Sequence, residues 1–259
     1  RTQIESIKKF YNSECNFTVN LNDLRDFWLD NEKTDETIAS TAKRTKLYGD
    51  PKGSVMVNLG DKSKFFGLSN LDKIYGADYD RNETKKYHHN DIQQYIVSKT
   101  ILDADVLISV PKLKVHKKVG VTLNAKGLVG INTNKNCLIH FTLGTPINGG
   151  DQFPDKLLSP KERILIFIQR KLFDLLLSKK SRYFEVIYNL IYRAYRKFIR
   201  PWFGNINKEK LLLDAGNWEG NDSAWRMVAD LMYIAFFANI DGIIQTSPQR
   251  KIFSIVDGI

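Results

Sequence analysis

Cysteine is nearly absent from this chain: Cys15 and Cys137 are the only two among 259 residues. They lie far apart and fit no metal-ligand or dithiol spacing, so both read as reduced thiols. The segment has no four-cysteine set and therefore holds no iron–sulfur cluster by itself. Histidine is scarce as well, with four in all. No apolar run approaches the roughly 20 residues that cross a bilayer. What remains is the composition of an ordinary folded protein, 42% hydrophobic and 26% charged, long enough for a sizeable core. The chain opens on Arg1 and closes on Val-Asp-Gly-Ile, and both ends read as cut points. The absence of a signal peptide then says little about compartment. The expectation is a cytoplasmic protein, with peripheral attachment to the inner face of a membrane as an option.

The net charge of +10 is concentrated. Residues 156–210 hold 14 Lys/Arg and 4 Asp/Glu, and the rest of the chain is neutral. Two helices are predicted in this segment, over 160–178 and 183–203. Pro160 suits a helix start and Pro201 an end or kink. Both helices are apolar on several sides, with Arg and Lys between. They read as a helical hairpin packed on the protein itself or on a second subunit, or as interfacial helices lying on an anionic membrane over 160–203. Nucleic acid is not expected, since no binding motif accompanies the charge. The chain thus divides into a first α/β part over 1–155, a basic amphipathic helical insert over 156–210 and a second α/β part over 211–259.

Elsewhere the periodicity predicts helices over 2–11, 21–29, 91–100 and 222–238, and strands over 54–59, 106–110, 211–213, 240–245 and 252–256. The predicted class is α/β: an open, mostly parallel sheet with flanking helices and the inserted basic hairpin. Ligand sites in such sheets lie in the loops at the carboxyl ends of strands.

The loop after the 106–110 strand is the chemically dense one. Lys112, Lys114, Lys117 and Lys118 crowd around His116, which suits a phosphate or carboxylate and equally suits a solvated basic loop. Lys126 sits among Leu123, Ala125, Leu128 and Val129; burial would lower its pKa and fit it for base or nucleophile work. His140 shares the glycine-rich segment with His116. Asp151, after Gly149 and Gly150, could join it as a metal ligand. His88 and His89 are adjacent, so on a strand at most one faces a site. Gly216 to Asp222 (GNWEGND) precedes a helix, whose N-terminus favours an anion, with Asn217, Asn221 and Asp222 at its mouth.

These stretches, ILDADVLISVPKLKVHKKVGVTLNAKGLVGI followed by NKNCLIH, GGDQFP, GNWEGND and VDGI, together with the earlier DYDRNET…HH, resemble the uncharacterised family called domain of unknown function 362. The resemblance runs from about Tyr75 to Ile259, with the basic segment as a variable insert. Val115 stands where the family usually has Thr, Gly127 where it has Asn, and Phe141 where a second His is common. Some members are fused to ferredoxin-type modules, which implies redox surroundings for those. A fainter resemblance is to lactate racemase-type proteins with a nickel-pincer cofactor. It implies His116 as acid/base, Lys126 as cofactor anchor and His140 as metal ligand.

The expectation is an enzyme acting on a small anionic substrate or a glycan or lipid-linked intermediate. Lys112, Lys114 and Lys117 would hold the anion, His116 would move a proton, and Lys126 would orient or activate. The alternatives are an iron–sulfur-associated redox accessory, a membrane-surface binding protein, or the nickel-pincer enzyme. The cofactor, metal included, stays open, and so does assembly into an oligomer.

Overall fold

A computed structural model describes residues 2–14, 18–29, 44–76, 81–156, 159–164 and 216–258, with isolated residues between 167 and 197. In chain order the elements are α1 (Thr2–Glu14), β1 (Phe27–Leu29), β2 (Arg44–Lys46), β3 (Ser54–Asn58), β4 (Ile74–Gly76), α2 (Arg81–Tyr87), β5 (His88–His89), β6 (Ile92–Ser98), α3 (Lys99–Leu102), β7 (Val106–Ser109), β8 (Lys114–His116), β9 (Gly120–Thr122), α4 (Asn124–Gly127), β10 (Ile139–Thr142), α5 (Ser223–Phe237) and β11 (Lys251–Ser254).

Helices and strands mix as an α/β reading requires, but the sheets are small and mostly antiparallel. One has three strands in the order β3–β6–β5, and β1–β2, β4–β10 and β8–β9 are antiparallel pairs. Among the described strands only β7 and β11 pair in parallel, Ile108 opposite Phe253. The expected open, mostly parallel sheet is therefore corrected to one parallel pair beside antiparallel ribbons.

Residues 91–100 are a strand where a helix is predicted. Ile92, Tyr95 and Ile96 fit a helical face, yet burial alternates, with Gln93, Tyr95 and Val97 fully enclosed. Pairing with Ser54–Asn58 decides between the two periods. Likewise 21–29 yields no helix; Phe27–Leu29 pairs with Arg44–Lys46. The 240–245 stretch supplies a single bridge, Ala238 to Ile244. The 211–213 strand and most of the basic hairpin lie outside the described residues. The first predicted helix of that hairpin does begin where Pro160 suggests. The Ser159 N–H donates to Glu162 Oε2 at 2.8 Å, and the Glu162 N–H donates to Ser159 Oγ at 3.3 Å, a reciprocal cap. Among the described residues no helix is long and apolar enough to cross a membrane.

One core joins the two ends of the chain. Met227, Leu231 and Ile234 of α5 pack with Val57, Tyr95, Val97, Leu128 and Ile139. Buried polar groups pin this helix at both ends and in its middle. Arg250 donates to the carbonyls of Ala235, Ala238 and Leu102, satisfying acceptors that the ends of α5 and α3 leave open. Asp230, in mid-helix, accepts from Ser63 Oγ at 2.6 Å, Tyr95 Oη at 3.0 Å and the Lys64 N–H at 2.8 Å. Asp50 accepts from Thr100 N–H and Oγ1, from Lys52 N–H and from Ser98 Oγ, tying the 50–53 turn to the start of α3.

Candidate functional site

The dense loop folds as the hairpin β8–β9. Val115 pairs with Val121, and His116 with Gly120, whose φ of +74° places it in the left-handed region that glycine tolerates. Successive side chains of a strand point to opposite sides. Lys114 and His116 therefore share one side, and Val115 lies on the other with 88% of its surface exposed. The chain then enters α4, which carries Lys126 and packs close to the end of β7. A Cβ added at Gly127 would come within 2.9 Å of Ser109 Oγ and 3.4 Å of the Pro111 ring, so the residue there must be small.

Lys126 is half-buried, as its apolar neighbours predict, and burial, reinforced by the charge of Lys114, lowers its pKa. His116 is shifted down by burial and then by Lys126, Lys118 and Lys114. His140, on β10, is pushed down to about 3 by burial, then by Lys118, Lys126 and His116. Lys114, Lys118 and Lys126 thus act on His116, Lys114 acts on Lys126, and Lys118, Lys126 and His116 act on His140. Lys118 adds its ammonium 5.4 Å above the ring of Phe141, which itself stacks on Tyr75 at 4.9 Å. Lys112 and Lys117 are exposed and do not figure among the charges acting on either imidazole. Period-two alternation along β8 sets Lys114 and His116 on one side, which the reading of Lys112, Lys114 and Lys117 as a single anion-holding set does not anticipate. Lys118 joins them only through the turn.

Both rings are neutral near pH 7, and their tautomers are opposite. The Lys118 N–H donates to His116 Nδ1 at 3.2 Å, so that nitrogen carries the lone pair and Nε2 the proton. His140 Nδ1 faces the Leu138 carbonyl at 3.0 Å and must donate, which leaves a lone pair on its Nε2. One imidazole offers a proton and the other accepts one.

The remaining candidates sit at the start of α5. Asp151 is buried, and both its oxygens are used. Oδ1 accepts from the Thr142 N–H at 2.5 Å, and Oδ2 from the N–H groups of Asp222 and Ser223 at 2.8 and 2.6 Å. Burial raises its pKa, and these donors pull it back. The helix N-terminus expected to attract an anion thus already holds one from within the chain. The approach is close: at Gly150 a Cβ would lie 2.1 Å from the Leu143 carbonyl oxygen. Asn221 caps α5 by accepting from the Ala224 N–H at 2.7 Å, and its amide donates to the His140 and Gly216 carbonyls. Asp222 accepts from Trp225 Nε1 and Arg226 Nε, both at 2.8 Å. Asn217 is partly buried beside them. A cavity of about 320 Å3 opens here, lined in part by Thr142, Gly150, Asp222, Ser223 and Arg226, and not by His116 or Lys126.

Of the histidine pair, His88 is fully buried and His89 is not. His88 lies between Gln93 Oε1 at 3.0 Å and the Cys137 carbonyl at 2.7 Å. Cys137 is a buried free thiol whose pKa burial raises to about 12; Cys15 lies outside the described residues. Among the described residues no group of three or more His, Cys, Asp or Glu is placed to hold a metal ion.

Comparison with curated proteins and with solved structures gives no match, so the fainter likeness to lactate racemase-type proteins finds no support there. A family model does match, over residues 55–259, a span that takes in the hairpin, α4, β10, the Asp151 loop and both strands of the parallel pair. The chain belongs to the family described as domain of unknown function (DUF362).

Proposed function

We propose that this protein is an enzyme that binds an anionic group between Lys114, Lys118 and Lys126 and moves a proton with His116, while His140 stays neutral and offers its Nε2 as a hydrogen-bond acceptor. The supporting observation is that lysines of this cluster act on both imidazoles, Lys118 and Lys126 on each, while the two rings hold opposite tautomers. Positive charges held this close are stabilised by an anionic ligand, and a partly buried ammonium binds one more strongly than an exposed one. A neutral imidazole with Nε2–H can polarise an oxygen by donating a hydrogen bond, a bare imidazole nitrogen such as His116 Nδ1 can take up a proton from a bound substrate, and the bare Nε2 of His140 can accept a hydrogen bond. The substrate class is a small phosphate- or carboxylate-bearing molecule, or a lipid-linked anionic intermediate. The basic segment over 160–203 is suited to hold the protein against an anionic membrane surface.

Calorimetric titration with inorganic phosphate and pyrophosphate tests the anion site. Lys126→Met is expected to weaken binding by roughly 10- to 100-fold, the loss of one charge-assisted contact. Lys112→Met is expected to change it by less than about two-fold, as for an exposed charge. Equal losses in both variants would make the binding a diffuse effect of net charge and contradict the proposal.

A further inference from the structure

A hydroxyl beside the lysine–histidine cluster has no partner in the fold. Thr122, on β9, stands directly opposite Lys114 on β8. Opposed residues of an antiparallel pair share a face, with Cβ atoms about 5 Å apart. Thr122 therefore lies on the side of Lys114 and His116, while Val121 lies on the other side with Val115. From Thr122 the chain runs directly into α4, which carries Lys126. Thr122 Oγ1 is closed off from solvent by the described residues and pairs with none of them. The residue as a whole is only half-buried.

For packing alone, threonine is a poor residue here. Valine has nearly the same shape and needs no hydrogen bond, and the same hairpin uses it at Val115, Val119 and Val121. An enclosed hydroxyl without a partner carries the full cost of its lost hydration. A ligand oxygen that accepts from it removes that cost. The lysines cannot take this proton, because an ammonium group only donates. Counting the ammonium groups of Lys114, Lys118 and Lys126 and the Nε2–H of His116, the hydroxyl completes a set made of donors. Such a set exceeds what the two oxygens of a carboxylate serve well, and it suits the three or four oxygens of a phosphate group.

We propose that Thr122 is a further binding residue of this site, giving its hydroxyl proton to a bound phosphate group and so selecting phosphate over carboxylate. The methyl and hydroxyl of a threonine exchange places on a turn of about 120° about χ1. In this half-buried residue the turn carries the hydroxyl from its unpaired position to the side of Lys114. The inference rests on the anion-binding reading above, and not on the proton transfer assigned to His116.

The test is calorimetric titration of the 259-residue chain, Thr122→Val and Thr122→Ser with inorganic phosphate and with malonate at pH 7.5, where both anions are mainly doubly charged. The unaltered chain is expected to bind phosphate the more tightly. Thr122→Val is expected to weaken phosphate binding by about 10-fold, the loss of one hydrogen bond to a charged acceptor, and malonate binding by less than about two-fold. Thr122→Ser keeps the hydroxyl and is expected to stay within about two-fold of the unaltered chain for both. The urea midpoint of Thr122→Val is expected to be unchanged or higher, since the fold loses no bond. Undiminished phosphate binding by Thr122→Val would overturn the proposal. So would a lowered midpoint, which would give the hydroxyl a partner within the fold, and so would equal losses for the two anions, which would remove the selection. If the unaltered chain binds no phosphate, or Lys126→Met binds it equally well, the anion site itself fails and this inference with it; a failure confined to Thr122→Val leaves the anion site standing.

Discussion

Asp151→Ala is expected to lower the unfolding free energy by about 3–5 kcal/mol, the largest single effect among the site residues. Three backbone N–H groups, from Thr142, Asp222 and Ser223, give their hydrogen bonds to this one carboxylate. Alanine strands all three in a buried place, at roughly 1–3 kcal/mol for each donor left unpaired. It also removes the negative charge from the start of a 15-residue helix, worth up to about 2 kcal/mol when partly buried. Some of the sum is recovered if water enters the neighbouring cavity. Asp151→Asn keeps one acceptor oxygen but turns an NH2 toward N–H donors, and should fall between the two. For a chain of this size the alanine variant should melt roughly 10 °C lower. Thermal unfolding followed by tryptophan fluorescence measures it. A loss below about 1 kcal/mol would mean that these bonds contribute little, and that Asp151 is free for another role.

The second large effect concerns acid. His88 is fully buried and its pKa is lowered to about 4, chiefly by burial. The unfolded chain takes up this proton near pH 6.5 and the folded one only near 4. The contribution of His88 to stability is therefore complete above 6.5 and is lost as pH falls toward 4, by roughly 3 kcal/mol in full. Asp230 works in the opposite direction. Its folded pKa is raised to about 6 from 3.8, mainly by burial. The folded state holds a proton there that the unfolded state releases, so acidification from 6 toward 4 favours the fold by a similar amount. The two groups flank Tyr95, whose ring meets His88 edge-on at 5.1 Å and whose hydroxyl donates to Asp230. With both present, their contributions nearly cancel between pH 7 and 5. In Asp230→Asn the cancelling half is gone, and the loss between pH 7 and 5 should exceed that of the unaltered chain by about 1–2 kcal/mol. Urea titrations at pH 7, 6 and 5 give the comparison; parallel profiles for the two proteins would contradict the assignment.

How much of this was legible depended on how local the determinants are. The β7 strand, the start of α5 at Ser223 and the half-burial of Lys126 follow from patterns a few residues long, and the structure agrees with each. The strand at Ile92–Ser98 was not legible. Its apolar residues satisfy a helical period and a strand period alike, and only pairing with Ser54–Asn58, about 40 residues away, decides. The sheet type differs for the same reason, since β3 finds its antiparallel partner β6 roughly 40 residues later and β4 finds β10 roughly 65 residues later. At the site, the ten-residue step from His116 to Lys126 could be read directly. The place of Asp151 could not, because two of its three donors lie 71 and 72 residues along the chain. A carboxylate beside two glycines looks the same whether it awaits a metal or caps a distant helix. The tautomers of His116 and His140 depend on single backbone groups, Lys118 N–H and Leu138 C=O, and no sequence pattern carries that information.

The claim on which the functional reading rests is a pair of neutral imidazoles of opposite tautomer among lysines. Long-range 1H–15N correlation spectra of the histidine rings at pH 7, recorded with and without inorganic phosphate, test it directly. The account predicts that His116 shows a bare Nδ1 and a protonated Nε2, that His140 shows the reverse, and that phosphate moves both sets of signals in the unaltered chain but not in Lys126→Met. Two rings of the same tautomer, or either ring doubly protonated at pH 7, or signals indifferent to phosphate, would contradict it.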